Sequence, residues 1–336
     1  MENPHDVDGK LFDWEEIREK CDWTGILLGN GASIAVWDDF KYPSIYDKSQ
    51  SDELDNPLSP DDLKLFETLS TTNFEQVLSY LIITKIINQA LDIDITKILQ
   101  RYTSIQQGLI EAVKAVHIPW DSIPSDVFEN IRSELLNYRN VFSTNYDLLI
   151  YWSIMHEAKR GFKDCFWNES FDIGNTEIWD NATAVYYLHG GLHLYRLPSG
   201  RTLKRRSGPY QTLLDLFGRN YQENAVPLFI SEGTSDEKLN SIYRSDYLSF
   251  AFSKFKNHRE PIVVFGHSLR EVDNHIVSTL ASWENEKIAI SLLPDTEINI
   301  RKAKAHYIYQ LPKAKPFFYN ALTHPLGREQ LKVTCF

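Results

Sequence analysis

Three short polar clusters, each at the end of an apolar run, constrain this chain most: Gly29-Asn30-Gly31-Ala32-Ser33, Ser143-Thr144-Asn145-Tyr146-Asp147 and His189-Gly190. In an open α/β sheet, ligands bind in the crevice outside the carboxyl ends of the strands. Polar groups leaving several strands at that end converge on one crevice, of the kind that holds a nucleotide.

The first cluster follows Thr24-Gly25-Ile26-Leu27-Leu28, which reads as a buried strand, and leads into Ile34-Ala35-Val36-Trp37, which reads as a first helical turn. Glycines let a backbone approach a phosphate closely, and a helix N-terminus offers unpaired N–H donors, so an anion is expected at this loop. The alternative is a plain strand-to-helix turn, because the dinucleotide fingerprint asks for a third glycine and position 34 is Ile. The second cluster follows Asn140-Val141-Phe142 and precedes the apolar stretch Leu148 to Trp152, a helix start. Asn145 and Asp147 therefore read either as caps or as site groups. The third follows Tyr186-Tyr187-Leu188 and sets an imidazole beside Gly190 and Gly191. A histidine, an amide and a carboxylate after different strands are the groups an acid–base site needs.

Between the first two clusters the chain reads as almost all helix. Thr72 and Glu75 form a capping-box pattern, and Phe74, Val77, Leu78, Leu81, Ile82, Ile86 and Ile87 follow at helical spacing. Ile95 to Val116 repeats that spacing until Pro119, and Val127, Phe128, Ile131 and Leu135 carry a further helix. Pro57-Leu58-Ser59-Pro60 reads as a linker into this module, which is expected to act as a lid and oligomerisation element. Beyond His189, Val226 to Ile230, Pro261 to Phe265 and Ile288 to Leu293 read as strands and Tyr247 to Phe255 as a helix, an alternation that indicates a parallel sheet. Ser231 to Leu239 reads as a polar loop into a helix, with Ser235 and Asp236 as caps.

Composition restricts the partners. With 336 residues, 43% of them hydrophobic, the chain can bury a large core. A net charge of −11 disfavours broad binding to nucleic acid. The basic run Arg201, Lys204, Arg205 and Arg206 is the exception, and a solvated loop is the simpler reading than a partner-binding patch. No apolar stretch approaches a membrane span, the first residues lack a secretory signal, and three scattered cysteines point to a reducing compartment, so a cytoplasmic location is expected.

The clusters also carry a resemblance. Gly29-Asn30-Gly31-Ala32-Ser33 is similar to the glycine-rich cofactor loop of sirtuins, Thr144-Asn145-Tyr146-Asp147 to their glutamine-asparagine-isoleucine-aspartate segment, and His189-Gly190 to their catalytic histidine-glycine pair. Val263-Val264-Phe265-Gly266-His267-Ser268-Leu269 resembles the later strand and glycine-x-serine loop, and all four occur in the family's order. Asn-Tyr-Asp in the second motif, and Asp273, His275 and Ile276 after the fourth, bring the chain closer to bacterial sirtuin-like proteins of anti-phage defence than to protein deacylases.

This resemblance implies an α/β, Rossmann-like parallel sheet flanked by helices, begun in residues 1–56, interrupted by an all-helical module at 57–139 and completed in 140–336. It implies NAD⁺ as substrate and hydrolysis of the nicotinamide–ribose bond. Asn145 would hold the nicotinamide ribose or the attacking water, Asp147 the carboxamide, and His189 would act as general base. Gly29, Gly31 and Ser33 would cradle the pyrophosphate, Gly266 and Ser268 would lie on the adenosine side, and Asn30, Thr144 and His267 would also bind the dinucleotide. Asp273 and His275 stay open as helix-start groups or crevice lining. The zinc module of the deacylases needs two Cys pairs, and Cys21, Cys165 and Cys335 supply no Cys-x-x-Cys, so no zinc is expected. Kinship further implies a homo-oligomer and a partner such as a HerA-type ATPase. The competing readings are a module that binds NAD⁺ or ADP-ribose without cleavage, a protein deacylase, and a dinucleotide oxidoreductase.

Overall fold

The computed structural model describes residues 7–41, 44–156, 161–167, 169–177, 181–206, 212–217, 224–231, 233–283 and 287–334. Its strands, in chain order, are β1 (Gly25–Leu28), β2 (Asn140–Ser143), β3 (Phe162–Lys163), β4 (Phe166–Trp167), β5 (Ser170–Phe171), β6 (Thr183–Tyr187), β7 (Gly190–Arg196), β8 (Thr202–Lys204), β9 (Val226–Phe229), β10 (Ile262–Phe265), β11 (Ile288–Leu292) and β12 (Phe317–Asn320). Seven of them form one sheet in the order β12-β11-β10-β1-β2-β6-β3. Every neighbouring pair in it is parallel. Strands β1, β6, β10 and β11 are buried along their whole length, which is why they read as near-continuous apolar runs, broken only by Thr183 and Ser291.

From β1 the chain steps outward on one side through β2 to β6, then returns to β10 beside β1 and steps outward through β11 and β12. This is the doubly wound arrangement, and its order reverses between β1 and β10. The crevice at the reversal lies outside Leu28 and Phe265, where the loops beginning at Gly29 and Gly266 leave the sheet.

The helices explain most of the remaining pattern. After α1 (Trp14–Arg18), the crossover from β1 to β2 contains α2 (Asn30–Ile34), α3 (Ile45–Lys48), α4 (Pro60–Thr68), α5 (Phe74–Ala90), α6 (Thr96–Val116) and α7 (Ser125–Leu135). The expected turn at Ile34 to Trp37 is displaced: α2 starts inside the glycine cluster at Asn30, with Gly29 as its N-cap. The cap of α5 is Asn73, whose side chain accepts the N–H groups of Glu75 and Gln76, and not Thr72. The segment read as a linker launches α4 instead, with Ser59 and Asp62 closing a reciprocal capping box and Leu58 buried. At its far end α5 leaves Ile83, Ile86 and Ile87 exposed, next to Leu91 and Ile93.

The second half contains α8 (Leu149–Met155), α9 (Leu213–Leu216), α10 (Ser235–Tyr243), α11 (Asp246–Asn257), α12 (Asn274–Ser282) and α13 (Glu297–Gln310). Here the purely parallel expectation needs correction. The strand at Val226 belongs to a second sheet, ordered β4-β5-β8-β7-β9, whose pairs are antiparallel. The basic run is a solvated loop only in part, with Arg201 and Arg206 exposed. Lys204 lies in β8 with its ammonium buried 2.6 Å from Asp164, Arg205 donates to the Leu216 carbonyl, and Arg201 donates to Ser170. Thr234, not Ser235 or Asp236, caps α10 in a capping box with Glu237; Glu232 and Cys335 lie outside the described residues.

A buried ion pair ties the helical crossover to the smaller sheet. Arg196 at the end of β7 donates to Glu75 at the start of α5, Ser79 accepts from the same guanidinium at 3.2 Å, and Ser241 of α10 donates to Glu75. Among the described residues no helix is long and apolar enough to cross a membrane.

Candidate functional site

The carboxyl ends of β1, β2, β6 and β10 open onto a cavity of about 210 Å³ lined by Asn30, Thr144, Asn145, Asp147, His189, Gly266, His267 and Ser268. Eight of the eleven site residues expected from the sequence thus meet there, Gly29, Gly31 and Ser33 lie behind them, and Asp273, left open between helix start and crevice, joins the lining. Phe40, Ser44, Ile45, Tyr146, Ile230, Ser231, Lys238 and Asp273 complete the lining. Sequence reasoning missed Lys238, although the Thr234-to-Glu237 capping box marks the helix start that places it.

The two glycines of the first loop serve a loop-to-loop contact. The Gly29 N–H donates to Phe265 O at 3.0 Å and the Gly31 N–H to Gly266 O at 2.8 Å. A Cβ on Gly29 would stand 2.5 Å from the His267 Cα, and one on Gly31 2.7 Å from the Gly266 Cα. Gly266 itself has φ +67 and would drive a Cβ to 2.5 Å from the Ala32 N. The expected phosphate cradle on the Gly29 and Gly31 amides is therefore corrected: these N–H groups are already paired, and the space above them is filled by the β10 loop.

Ser33 is likewise a support rather than part of the lining. Its hydroxyl donates to the Asp147 carboxylate through Oδ2 and accepts from Asn145 Nδ2 at 2.8 Å. Asn145 Nδ2 also donates to the Gly29 carbonyl at 3.0 Å, which fixes the amide's orientation, since a carbonyl oxygen can only accept. Asn145 Oδ1 is buried without a hydrogen-bond partner among the described residues. A buried acceptor in that condition costs roughly 1–3 kcal/mol.

Asp147 combines both readings open in the sequence. Its Oδ1 accepts the N–H of Leu149, the first residue of α8, at 2.9 Å from one position before the N-cap Leu148, while the residue also lines the cavity. Behind it, His117 at the end of α6 accepts the Leu148 N–H at 3.0 Å on Nε2, so Nδ1 donates to the Ile118 carbonyl at 2.8 Å. Burial lowers the pKa of His117 despite the nearby Asp147 charge, and the ring is neutral. Thr144 is anchored through its hydroxyl and its N–H to Leu28 O, both at 3.0 Å.

His189 sits on the two-residue connection between the sheets, Leu188-His189, immediately before β7. Its carbonyl accepts the Ile230 N–H at 2.8 Å, and Leu188 donates to Ser143 O at 2.8 Å. Its Nε2 lies 2.8 Å from Nε2 of His275, whose Nδ1 lies 3.2 Å from the Ser235 hydroxyl. Burial pushes His189 well below the ordinary imidazole value, His275 pushes it the same way, and Asp273 opposes both. Burial lowers His275 to about 4. Burial works to raise Asp273, but His189, Lys238 and His267 together hold its carboxyl at about 2.

His189, Asp273 and His275 bring their donor atoms within 4.8 Å of one another, a set able to hold a metal ion. The two imidazoles are hydrogen-bonded directly, and Lys238 Nζ lies 2.7 Å from the Asp273 carboxylate. His267 stands 3.9 Å from the same carboxylate and accepts the Leu269 N–H on Nδ1 at 3.0 Å.

Fold and site together define a doubly wound α/β protein with a polar, partly charged cavity at the topological switch point of its parallel sheet. The chain belongs to the family described as "Domain of unknown function (DUF4917)", whose model matches residues 26–320. No curated protein matches it. Among solved structures it is similar to a mutant Sir2 homologue in complex with 2'-O-acetyl ADP ribose, with 13% identity over 95% of each chain and a TM-score of 0.38.

Proposed function

We propose that this protein hydrolyses NAD⁺ to ADP-ribose and nicotinamide. The observation that carries the reading is that Asn145, whose Oδ1 has no hydrogen-bond partner among the described residues, and His189 line one cavity at the switch point of a doubly wound sheet. Pockets that enclose a whole ligand run to roughly 300–1,000 Å³. At about 210 Å³ this one suits the nicotinamide–ribose end, with the rest of the dinucleotide running outward past Gly266 and Ser268.

In this reading nicotinamide leaves as a neutral base from a positively charged nitrogen, so its departure needs little acid assistance and the ribose passes through an oxocarbenium-like state. Asn145 Oδ1 accepts a ribose hydroxyl or the attacking water. His189, kept neutral by burial, removes a proton from that hydroxyl or water as the new C–O bond forms. Asp147 holds the Asn145–Ser33 unit in place and presents its remaining lone pairs to the carboxamide. The motif order that resembles sirtuin-like anti-phage proteins is the ground for a role in NAD⁺ depletion, for a homo-oligomer and for a HerA-type ATPase as partner.

The test is incubation of the purified chain with NAD⁺, alone and with the product of a neighbouring gene, followed by chromatography, beside Asn145→Ala and His189→Ala. Release of nicotinamide by the wild type and loss in both variants supports hydrolysis. Calorimetric binding of NAD⁺ without release, unaffected by His189→Ala, replaces it with the reading of a binding module.

A further inference from the structure

We propose that His275 is a positioning residue that fixes the tautomer of His189 and takes over the proton His189 receives. The two rings meet Nε2 to Nε2 at 2.8 Å, so one nitrogen carries the proton of that hydrogen bond and the other the lone pair. Of the two arrangements only one makes His189 a base. In it His189 donates from Nε2, His275 accepts on Nε2, and Nδ1 of His189 keeps its lone pair for the cavity.

The surroundings of His275 suit the accepting role. Its Nδ1 faces the Ser235 hydroxyl at 3.2 Å, and the same oxygen accepts the His275 backbone N–H at 2.9 Å. With Nδ1–H donating to Ser235, the neutral ring of His275 presents a lone pair at Nε2. The ring is held from the other side by Phe252, at 6.0 Å between ring centroids. Ser235 opens α10 and His275 lies in the first turn of α12, so two helix starts fix the ring that aims His189.

The step balances. The O–H bond of a ribose hydroxyl or water breaks and an Nδ1–H bond forms on His189. The Nε2–H bond of His189 then breaks and an Nε2–H bond forms on His275. One positive charge has moved from the cavity wall to the second ring, where the Asp273 carboxylate lies within 4.8 Å of both imidazoles. Lys238 on that carboxylate and His267 at 3.9 Å limit how much charge the pair tolerates, which favours return of the proton at the end of the cycle.

Only the kinetic arm of the test rests on the hydrolase reading. The first arm is ¹⁵N NMR of the histidine-labelled full chain, with the signal assigned by His189→Gln. The expected result is a neutral His189 protonated at Nε2 in the wild type, with that preference lost in His275→Phe. A wild-type His189 protonated at Nδ1 overturns the proposal whether or not any variant folds. The second arm compares nicotinamide release by His275→Phe, which keeps ring volume without an acceptor, and by His275→Gln, whose Oε1 accepts from His189. A fall of about 10²-fold in kcat with KM within about threefold for Phe, and recovery to within about tenfold of wild type for Gln, is expected. Equal activity of Phe and wild type, or equal loss in Phe and Gln, overturns it. A wild type that releases no nicotinamide yet shows the tautomer switch removes the hydrolase reading and leaves the positioning role standing.

Discussion

Ser33 and Asn145, 112 residues apart in the chain, share a 2.8 Å hydrogen bond that joins the ends of β1 and β2 beneath the cavity. The same hydroxyl reaches Asp147, so one serine holds the amide and the carboxylate of the second motif in fixed relation.

Removing that hydroxyl separates placement from contact. Ser33→Ala leaves Asp147 Oδ2 and one Asn145 proton without partners, and a loss of about 1–3 kcal/mol in urea unfolding is expected. Nicotinamide release should fall through kcat as Asn145 loses its orientation. An unchanged kcat in a folded Ser33→Ala protein would show that the bridge is dispensable.

The contact between the β1 and β10 loops tolerates no side chain. Gly266→Ala places a Cβ 2.5 Å from the Ala32 N on a backbone with φ +67, and Gly31→Ala a Cβ 2.7 Å from the Gly266 Cα. Each variant should lose about 1–3 kcal/mol and most NAD⁺ binding, read by thermal melting and calorimetry. Gly174, whose Cβ would meet nothing closer than a side-chain oxygen of Asp172 at 3.2 Å, is the control expected to keep both.

The buried pair of Arg196 and Glu75, with side chains only 6% and 2% exposed, should cost about 3–5 kcal/mol when one partner is removed, as in Glu75→Gln or Arg196→Met. The double variant should be less destabilised than the sum of the two. Denaturant titration of all three proteins gives the coupling, and strict additivity would contradict it.

The depressed imidazoles set a pH dependence of known sign. His275 falls from 6.5 in the unfolded chain to about 4 in the folded one. Between those values the unfolded chain binds more protons, so this contribution is fully present above about pH 6.5 and is lost as pH drops toward about 4. His275→Phe should flatten that part of the stability curve, measured by urea midpoints across the range. For the same reason nicotinamide release should show no rise between about pH 6 and 7, where an ordinary imidazole would lose its proton.

The parts of the fold most legible in the sequence were those set by short-range patterning. Ile26-Leu27-Leu28 and Ile262 to Phe265 are buried on both faces, so their apolar runs announce central parallel strands. The stripes of α6 and α7 face one core and have the helical period. The antiparallel sheet was hidden because β4, β5 and β8 have only two or three residues each, too few to set up an alternation. In the site, Asn145, Asp147 and His189 stood out because each follows a strand. Lys238 and the support given by His275 did not, since both depend on how α10 and α12 approach each other across the chain. The glycines of the first loop were visible as glycines, but the backbone that fills the space above them comes from residues 235 positions or more further on.

His189 is mounted on the joint between two sheets of opposite design, its carbonyl tied to the strand end at Ile230 and its predecessor Leu188 tied to Ser143. A displacement of the smaller sheet would therefore be passed to the backbone of His189 through the Ile230 tie. Whatever grips the small sheet, or the helices clamped to it through Arg196, gains a lever on the cavity from a distance.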